Sequence, residues 1–295
     1  VSWPDAVEVP IPGEYLGLPN PRGFRPVAIP ILDFQPNVAL LPTPLDADQW
    51  PTGEPFEHRI PMRDAVELRA RICLPTTNQL APWVLLLHMW GMDADSWERR
   101  APGFLDELTE MERAWCAIDL RWHGQSGDEP HCAVYDDWRL ARQLPMPGKA
   151  ERLGALAQQG PPLGANVLFL RDIADIHAYL AASRRVADPW AICGASVGAN
   201  AAWVASSLCN AKTHICISPY YPSPGWTLMG REVDPFIPRD VLFVSDDEEA
   251  AEAERMAQQT SGSVARVVGV GKEHGIGLLR QPPIRRRVLE ALRRM

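Results

Sequence analysis

Ser196 lies in Ile192-Cys193-Gly194-Ala195-Ser196-Val197-Gly198-Ala199-Asn200, a G-x-S-x-G spacing between an apolar stretch and a helix-forming run. That spacing is the sequence shape of a serine held on a tight strand-to-helix turn. Gly194 and Gly198 flank the turn, where a Cβ would crowd the backbone and push it out of its strained geometry. The hydroxyl is then left at the carboxyl end of a sheet strand. A serine so placed can attack a carbonyl carbon, provided that a histidine and an acid reach it.

The expected general base is His274, in Gly269-Val270-Gly271-Lys272-Glu273-His274-Gly275-Ile276-Gly277. A glycine-rich loop after the last strand can carry an imidazole back over the sheet. His177 falls in a helical pattern and His214 in a strand pattern, and both read as structural. His58 and His131 lack a comparable setting. The expected acid is Asp247, in the run Asp246-Asp247-Glu248-Glu249 that follows the apolar strand Val241–Ser245. Asp247 leaves a short turn after Ser245, but Asp246, Glu248 and Glu249 stay open as alternatives. One of these carboxylates should accept the His274 Nδ1–H and fix the useful tautomer.

Negative charge developing on a substrate oxygen needs donors. His88-Met89-Trp90-Gly91 follows the first apolar strand and can aim a backbone N–H into the space in front of Ser196. Trp90 is the first choice and Met89 the alternate, with the second donor at Val197, where the next helix starts. His88 is expected to hold this loop rather than act as base. Asp119 to Gly127 forms another polar loop after a strand, in which Asp119 and Arg121 should orient one another or nearby backbone.

These residues need a frame that brings several strand ends together. Residues 1–55 hold twelve of the 29 prolines and read as an extended arm. Phe56–Ile60 and Val66–Cys73 read as an antiparallel pair joined by Pro61-Met62-Arg63-Asp64. A continuous apolar run at 83–87, as expected of a strand buried on both faces, and strand patterns at 115–119, 190–193, 213–217, 241–245 and 264–268 then alternate with helical patterns at 102–113, 167–183, 199–208, 249–259 and 283–294. Repeated strand-helix units of this length predict a mostly parallel central sheet flanked by helices, within a domain spanning 56–295. The Pro- and Gly-rich segment 128–165 interrupts the rhythm above the expected catalytic face. It reads as a small insertion or lid, or equally as a surface excursion.

The bulk properties narrow the classes. A hydrophobic fraction of 46% fits a folded globular chain, and the net charge of −8 disfavours nucleic acid as a partner. No stretch approaches the roughly 18 apolar residues of a membrane-spanning helix. No zinc or calcium ligand spacing is present, and no cofactor is expected. The six cysteines include no C-x-x-C pair, so disulfide status stays open. Compartment stays open too: a sequence starting at Val1 fits a cytoplasmic protein or one exported after removal of an N-terminal leader. Oligomeric state is not readable.

Taken together, the His-x-x-Gly loop, the serine turn, the acid run and the late histidine loop resemble the α/β-hydrolase superfamily, especially small bacterial dienelactone-hydrolase-like and carboxylesterase-like proteins. The resemblance covers about residues 56–295. His88-Met89-Trp90-Gly91 is similar to that family's His-Gly-x-Gly oxyanion loop, with Met89 in place of the first glycine. Asp119 to Gly127 is similar to its Asp-x-x-Gly-His-Gly-x-Ser-Gly loop, with Trp122 in place of a glycine. The resemblance implies an α/β-hydrolase fold and a triad of Ser196, His274 and one residue of the acid run. It also implies hydrolysis of a small-molecule carboxylic ester through an acyl-enzyme. A thioesterase or peptidase could use the same triad, and a binding protein could retain the fold without catalysis. In the expected pocket, Trp90, Tyr220, Tyr221 and Trp226 would either line the substrate or simply pack.

Overall fold

The computed structural model describes residues 47–63, 66–77, 80–121, 123–126, 163–205, 211–219, 240–258, 260 and 262–295. The arm up to residue 46 lies outside the described residues, as do nearly all of the expected lid, His131, Tyr220, Tyr221 and Trp226.

Among the described residues eight strands form one sheet: β1 (Phe56–Pro61), β2 (Glu67–Cys73), β3 (Ala81–Leu87), β4 (Ala114–Ile118), β5 (Val186–Ala195), β6 (Thr213–Ile217), β7 (Asp240–Ser245) and β8 (Ser263–Val268). Their spatial order is β1-β2-β4-β3-β5-β6-β7-β8. β2 runs antiparallel to both β1 and β4. Every pairing from β4 through β3 to β8 is parallel. The parallel strands were expected from the alternation of strand and helix patterns, and the apolar character of the inner ones is explained by their burial. All five residues of β4 and of β6 are buried, because helices cover both faces.

Successive side chains of a strand alternate between faces, and two cores follow from that alternation. Trp83, Leu85 and Leu87 of β3 point to one side with Ile192 of β5, against α3 (Leu163–Ala182) and α4 (Val197–Ala205). Val84 and Leu86 point to the other, with Ala191 and Cys193 of β5. There they meet α1 (Ser96–Arg100), α2 (Phe104–Glu110), α6 (Pro282–Arg293) and the 3₁₀ helix Gly275–Arg280. α5 (Ala250–Gln258) contributes Ala253 and Met256 to the first core. Trp83 and Trp190, register partners on β3 and β5, stack at 4.9 Å.

Two sequence expectations change in detail. The helix expected over 102–113 is the shorter α2, Phe104–Glu110, and a second short helix, α1, precedes it where none was expected. Gly103, with φ +77, separates them and starts α2. The turn after β1 starts later than expected, because Pro61 still pairs with Glu67 at the sheet edge, where a missing N–H is tolerated. Cys73, Cys116, Cys193 and Cys216 are buried free thiols.

The parallel order brings the carboxyl ends of β3 to β8 to one edge, where the chain passes from β5 straight into α4. That passage requires the two glycines. A Cβ on Gly194 would overlap the Gly198 carbonyl, and one on Gly198 would overlap the Leu87 carbonyl and lie 2.8 Å from that of His88. All of these obstacles are backbone, which cannot rotate away. Gly194→Ala should therefore cost about 3 kcal/mol of unfolding free energy. Gly271→Ala, at φ +93 with open space around it, should cost only about 1 kcal/mol of backbone strain. Urea unfolding of the two variants at unchanged m-value checks the contrast.

Candidate functional site

Ser196 sits between β5 and α4 with φ +54, the left-handed conformation that a residue bearing a Cβ rarely adopts. Its N–H donates to the Ile217 carbonyl at 2.9 Å, and its own carbonyl accepts the Asn200 N–H at 3.1 Å. The residue is thus clamped to β6 on one side and begins the helical ladder on the other. It is 8% exposed while Val197 and Asn200 beside it are almost fully buried. Cys193, three residues earlier, is no rival nucleophile: it is fully buried, and burial pushes its thiol well up.

His274 Nδ1–H donates to Glu249 Oε1. This differs from the expected partner. Asp247 is exposed at the tip of the turn after β7, and no hydrogen bond joins it to His274. The cause is Asp246. Its side chain turns inward, is 4% exposed, and accepts the Glu249 N–H at 2.8 Å. The turn closes on that bond, which throws Asp247 and Glu248 outward and carries Glu249 back to the sheet edge. Glu249 then starts α5, its carbonyl accepting from Glu252 at 3.0 Å and Ala253 at 3.2 Å. Glu248 instead pairs with Lys272 at 2.7 Å on the surface.

Two contacts fix where the His274 loop lies. Gly275 N–H donates to Ser218 Oγ at 2.7 Å, and Ile276 N–H approaches Met89 Sδ at 3.4 Å. Ser218 follows β6 and Met89 follows β3, the two strands that flank β5. The chain just after His274 therefore bridges the strand ends on either side of Ser196. Sequence reasoning missed Ser218. Its signal was faint, a lone serine after an apolar strand.

The loop after β3 is organised by His88. Leu120 N–H donates to His88 Nε2 at 2.8 Å, so the ring proton is on Nδ1, which donates to the Met89 carbonyl at 2.6 Å. Met92 N–H reaches the same carbonyl at 3.1 Å. His88 is fully buried and bridges the ends of β3 and β4, as expected of a loop-holding residue. Trp90 is half-buried, its ring edge-on to His123 at 4.8 Å. Val197 is the first residue of α4, where a helix leaves its N–H groups without intrahelical acceptors.

In the loop after β4, Asp119 and Arg121 do not pair; Asp119 orients nearby backbone, the other arrangement expected of it. Asp119 accepts the Ala94 N–H at 2.7 Å and the Gln125 N–H at 2.6 Å, with Arg69 at 3.5 Å. Burial pushes its carboxyl up, against the downward pull of those donors. Arg121 forms a buried two-bond pair with Asp172 of α3, at 2.9 and 2.5 Å. That pair ties the β4 loop to the helix that follows the expected lid.

No family model matches the sequence, and no curated protein matches it. Solved structures do. An esterase from Pyrococcus furiosus superposes with a TM-score of 0.56 at 17% identity, over 85% of this chain and 95% of its own. Est1E from Butyrivibrio proteoclasticus, solved with ferulic acid bound, gives 0.53 at 17% identity, over 78% of this chain and 97% of its own. A dienelactone hydrolase from Anabaena variabilis gives 0.50 at 19% identity, over 81% and 96%. The fold is that of the α/β-hydrolases.

Within this α/β-hydrolase fold the serine, the His274–Glu249 pair and the loop at Met89 and Trp90 all lie at the carboxyl edge of the parallel strands, the edge at which open α/β sheets bind ligands. Among the described residues no group of His, Cys, Asp and Glu has the arrangement of a metal site. The Asp246 cap generates a test of the local geometry. Asp246→Ala should lose about 1 kcal/mol, the usual worth of such a cap. Asp247→Ala, exposed and outside the turn's hydrogen bonding, should stay within about 0.5 kcal/mol of the parent. Chemical denaturation of both variants measures the difference.

Proposed function

We propose that the protein is a serine hydrolase that cleaves a small-molecule carboxylic ester through an acyl-enzyme intermediate. Ser196 is the nucleophile, His274 the general base and Glu249 the acid that orients it. The observation that carries this reading is the His274–Glu249 pair, held by a loop anchored to the strand ends on both sides of a serine in a strained turn. Strain at a buried turn is costly, and persists where the surroundings over-determine it.

The chemistry follows from the proton positions. With its Nδ1 proton on Glu249, His274 has Nε2 free of a proton and able to take one from Ser196 as Oγ attacks the ester carbonyl. The new bond turns the carbonyl oxygen into an oxyanion. Trp90 and Val197 N–H groups are the proposed donors to it. One observation supports Trp90 over Met89: the Met89 carbonyl is held by His88 Nδ1–H and the Met92 N–H, and in a trans peptide the Trp90 N–H points the opposite way, leaving it clear of both. Protonated His274 then gives its proton to the leaving alcohol. Water, deprotonated by His274 in turn, attacks the acyl-enzyme and frees Ser196. No helix among the described residues is long and apolar enough to cross a membrane. The structural neighbours named as an esterase and as a dienelactone hydrolase favour an oxygen ester over a thioester or an amide.

Steady-state hydrolysis of a short-chain aryl ester, beside the thioester and anilide of the same acyl group, tests the assignment. Ser196→Ala and His274→Ala should each lower kcat by on the order of 10⁴ or more. Glu249→Gln should lower it by on the order of 10³–10⁴, because the amide no longer holds the useful tautomer or stabilises the imidazolium. Asp247→Asn should leave it near the parent value. A dominant loss at Asp247, with Glu249→Gln near normal, would reverse the choice of acid. Preference for the thioester or anilide would replace the substrate class while keeping the triad.

A further inference from the structure

We propose that Ser218 and Met89 are positioning residues for His274, together supplying the N-terminal cap that the base loop lacks. This rests on His274 being the base. The 3₁₀ helix Gly275–Arg280 starts immediately after His274, whose own side chain makes no capping hydrogen bond. The first N–H groups of any helix have no intrahelical acceptor, and here they are buried. Ser218 Oγ takes the Gly275 N–H at 2.7 Å, and Met89 Sδ faces the Ile276 N–H at 3.4 Å.

The supporting residues are built for this task. Ser218 is fully buried and has φ +48, the same disfavoured region that Ser196 occupies one strand away. Its N–H is tied to the Val244 carbonyl at 2.6 Å. The left-handed turn at the end of β6 presents the hydroxyl to the loop arriving from β8. On the other side, Gly275 has φ +63, and a Cβ there would overlap Met89 Sδ. Met89 thus packs directly against the backbone beside His274. Because Met89 also precedes Trp90, the same residue joins the base loop to the proposed oxyanion loop. A thioether is a weak acceptor but a good filler of an irregular gap, so the hydroxyl carries the direction and the methionine the spacing.

The variants are Ser218→Ala, Ser218→Gly and Met89→Leu in the full chain. Ser218→Gly relaxes the backbone while removing the hydroxyl, so it carries the test if the alanine variant fails to fold. Two quantities are read: kcat and KM for ester hydrolysis, and the downfield proton resonance of His274 Nδ1–H bonded to Glu249, assigned by its loss in His274→Ala. Loss of the hydroxyl should lower kcat about tenfold with KM nearly unchanged, since small misplacements of a reacting group are amplified in rate. The resonance should broaden through faster exchange. Met89→Leu, which keeps the bulk and loses the sulfur, should give a smaller loss of the same kind. A sharp, unshifted resonance in the Ser218 variants would overturn the proposal, whatever kcat does. A broadened resonance with parental kcat would leave the positioning standing and overturn His274 as the base.

Discussion

The close approach of Gly194, Gly198 and Leu87 is the constraint on which the rest of the site depends. α4 can start directly at the end of β5 only because three backbone segments meet where no Cβ intervenes. That contact forces Ser196 into a left-handed conformation, and the Ile217 carbonyl and the α4 ladder hold it there. The serine is therefore set by backbone packing rather than by its own side-chain contacts. A backbone fixed in this way leaves only the rotation about χ1 to be ordered at the moment of reaction.

Parallel strand order then decides which loops can reach it. β3 and β6 flank β5, so the loops after them border Ser196, and the His274 loop spans the gap between them through Met89 and Ser218. Buried polar groups secure the loops. His88 uses both ring nitrogens to join the ends of β3 and β4. Asp119 holds the Ala94 and Gln125 amides, and Arg121 holds Asp172. Buried ion pairs contribute little net stability, because desolvation offsets their attraction, but breaking one partner is costly. Here such a pair fixes loop position, which a hydrophobic contact would leave less defined.

Much of the frame was legible in the sequence because it rests on local pattern. The unbroken apolar run at 83–87 marked β3 as buried on both faces, the alternation of strand and helix patterns marked the other parallel strands, and the glycine spacing marked the turn at Ser196. The histidine loop was legible from its glycines and its place after the last strand. The acid was not. Choosing among Asp246, Asp247, Glu248 and Glu249 depends on one side-chain bond, Asp246 Oδ1 to the Glu249 N–H, that reverses the direction of the turn. Counting residues cannot detect a side chain that folds inward. Ser218 escaped notice for a related reason. Its role comes from a bond to Gly275, 57 residues away, and nothing in its own neighbourhood marks it. Asp119 and Arg121 were rightly seen as loop-orienting residues: Asp119 holds the Gln125 amide of its own loop and the Ala94 amide, whereas Arg121 reaches Asp172 on α3.

The central claim is that Ser196 is an activated nucleophile and that His274 and Glu249 activate it. Covalent labelling with a fluorophosphonate, followed by mass mapping of the modified peptide, tests this most directly because it needs no knowledge of the natural substrate. The account predicts a single adduct on Ser196 in the folded protein, formed far more slowly in His274→Ala and in Glu249→Gln. Folded protein that stays unlabelled at Ser196, or an adduct on another residue with Ser196 unmodified, would contradict it.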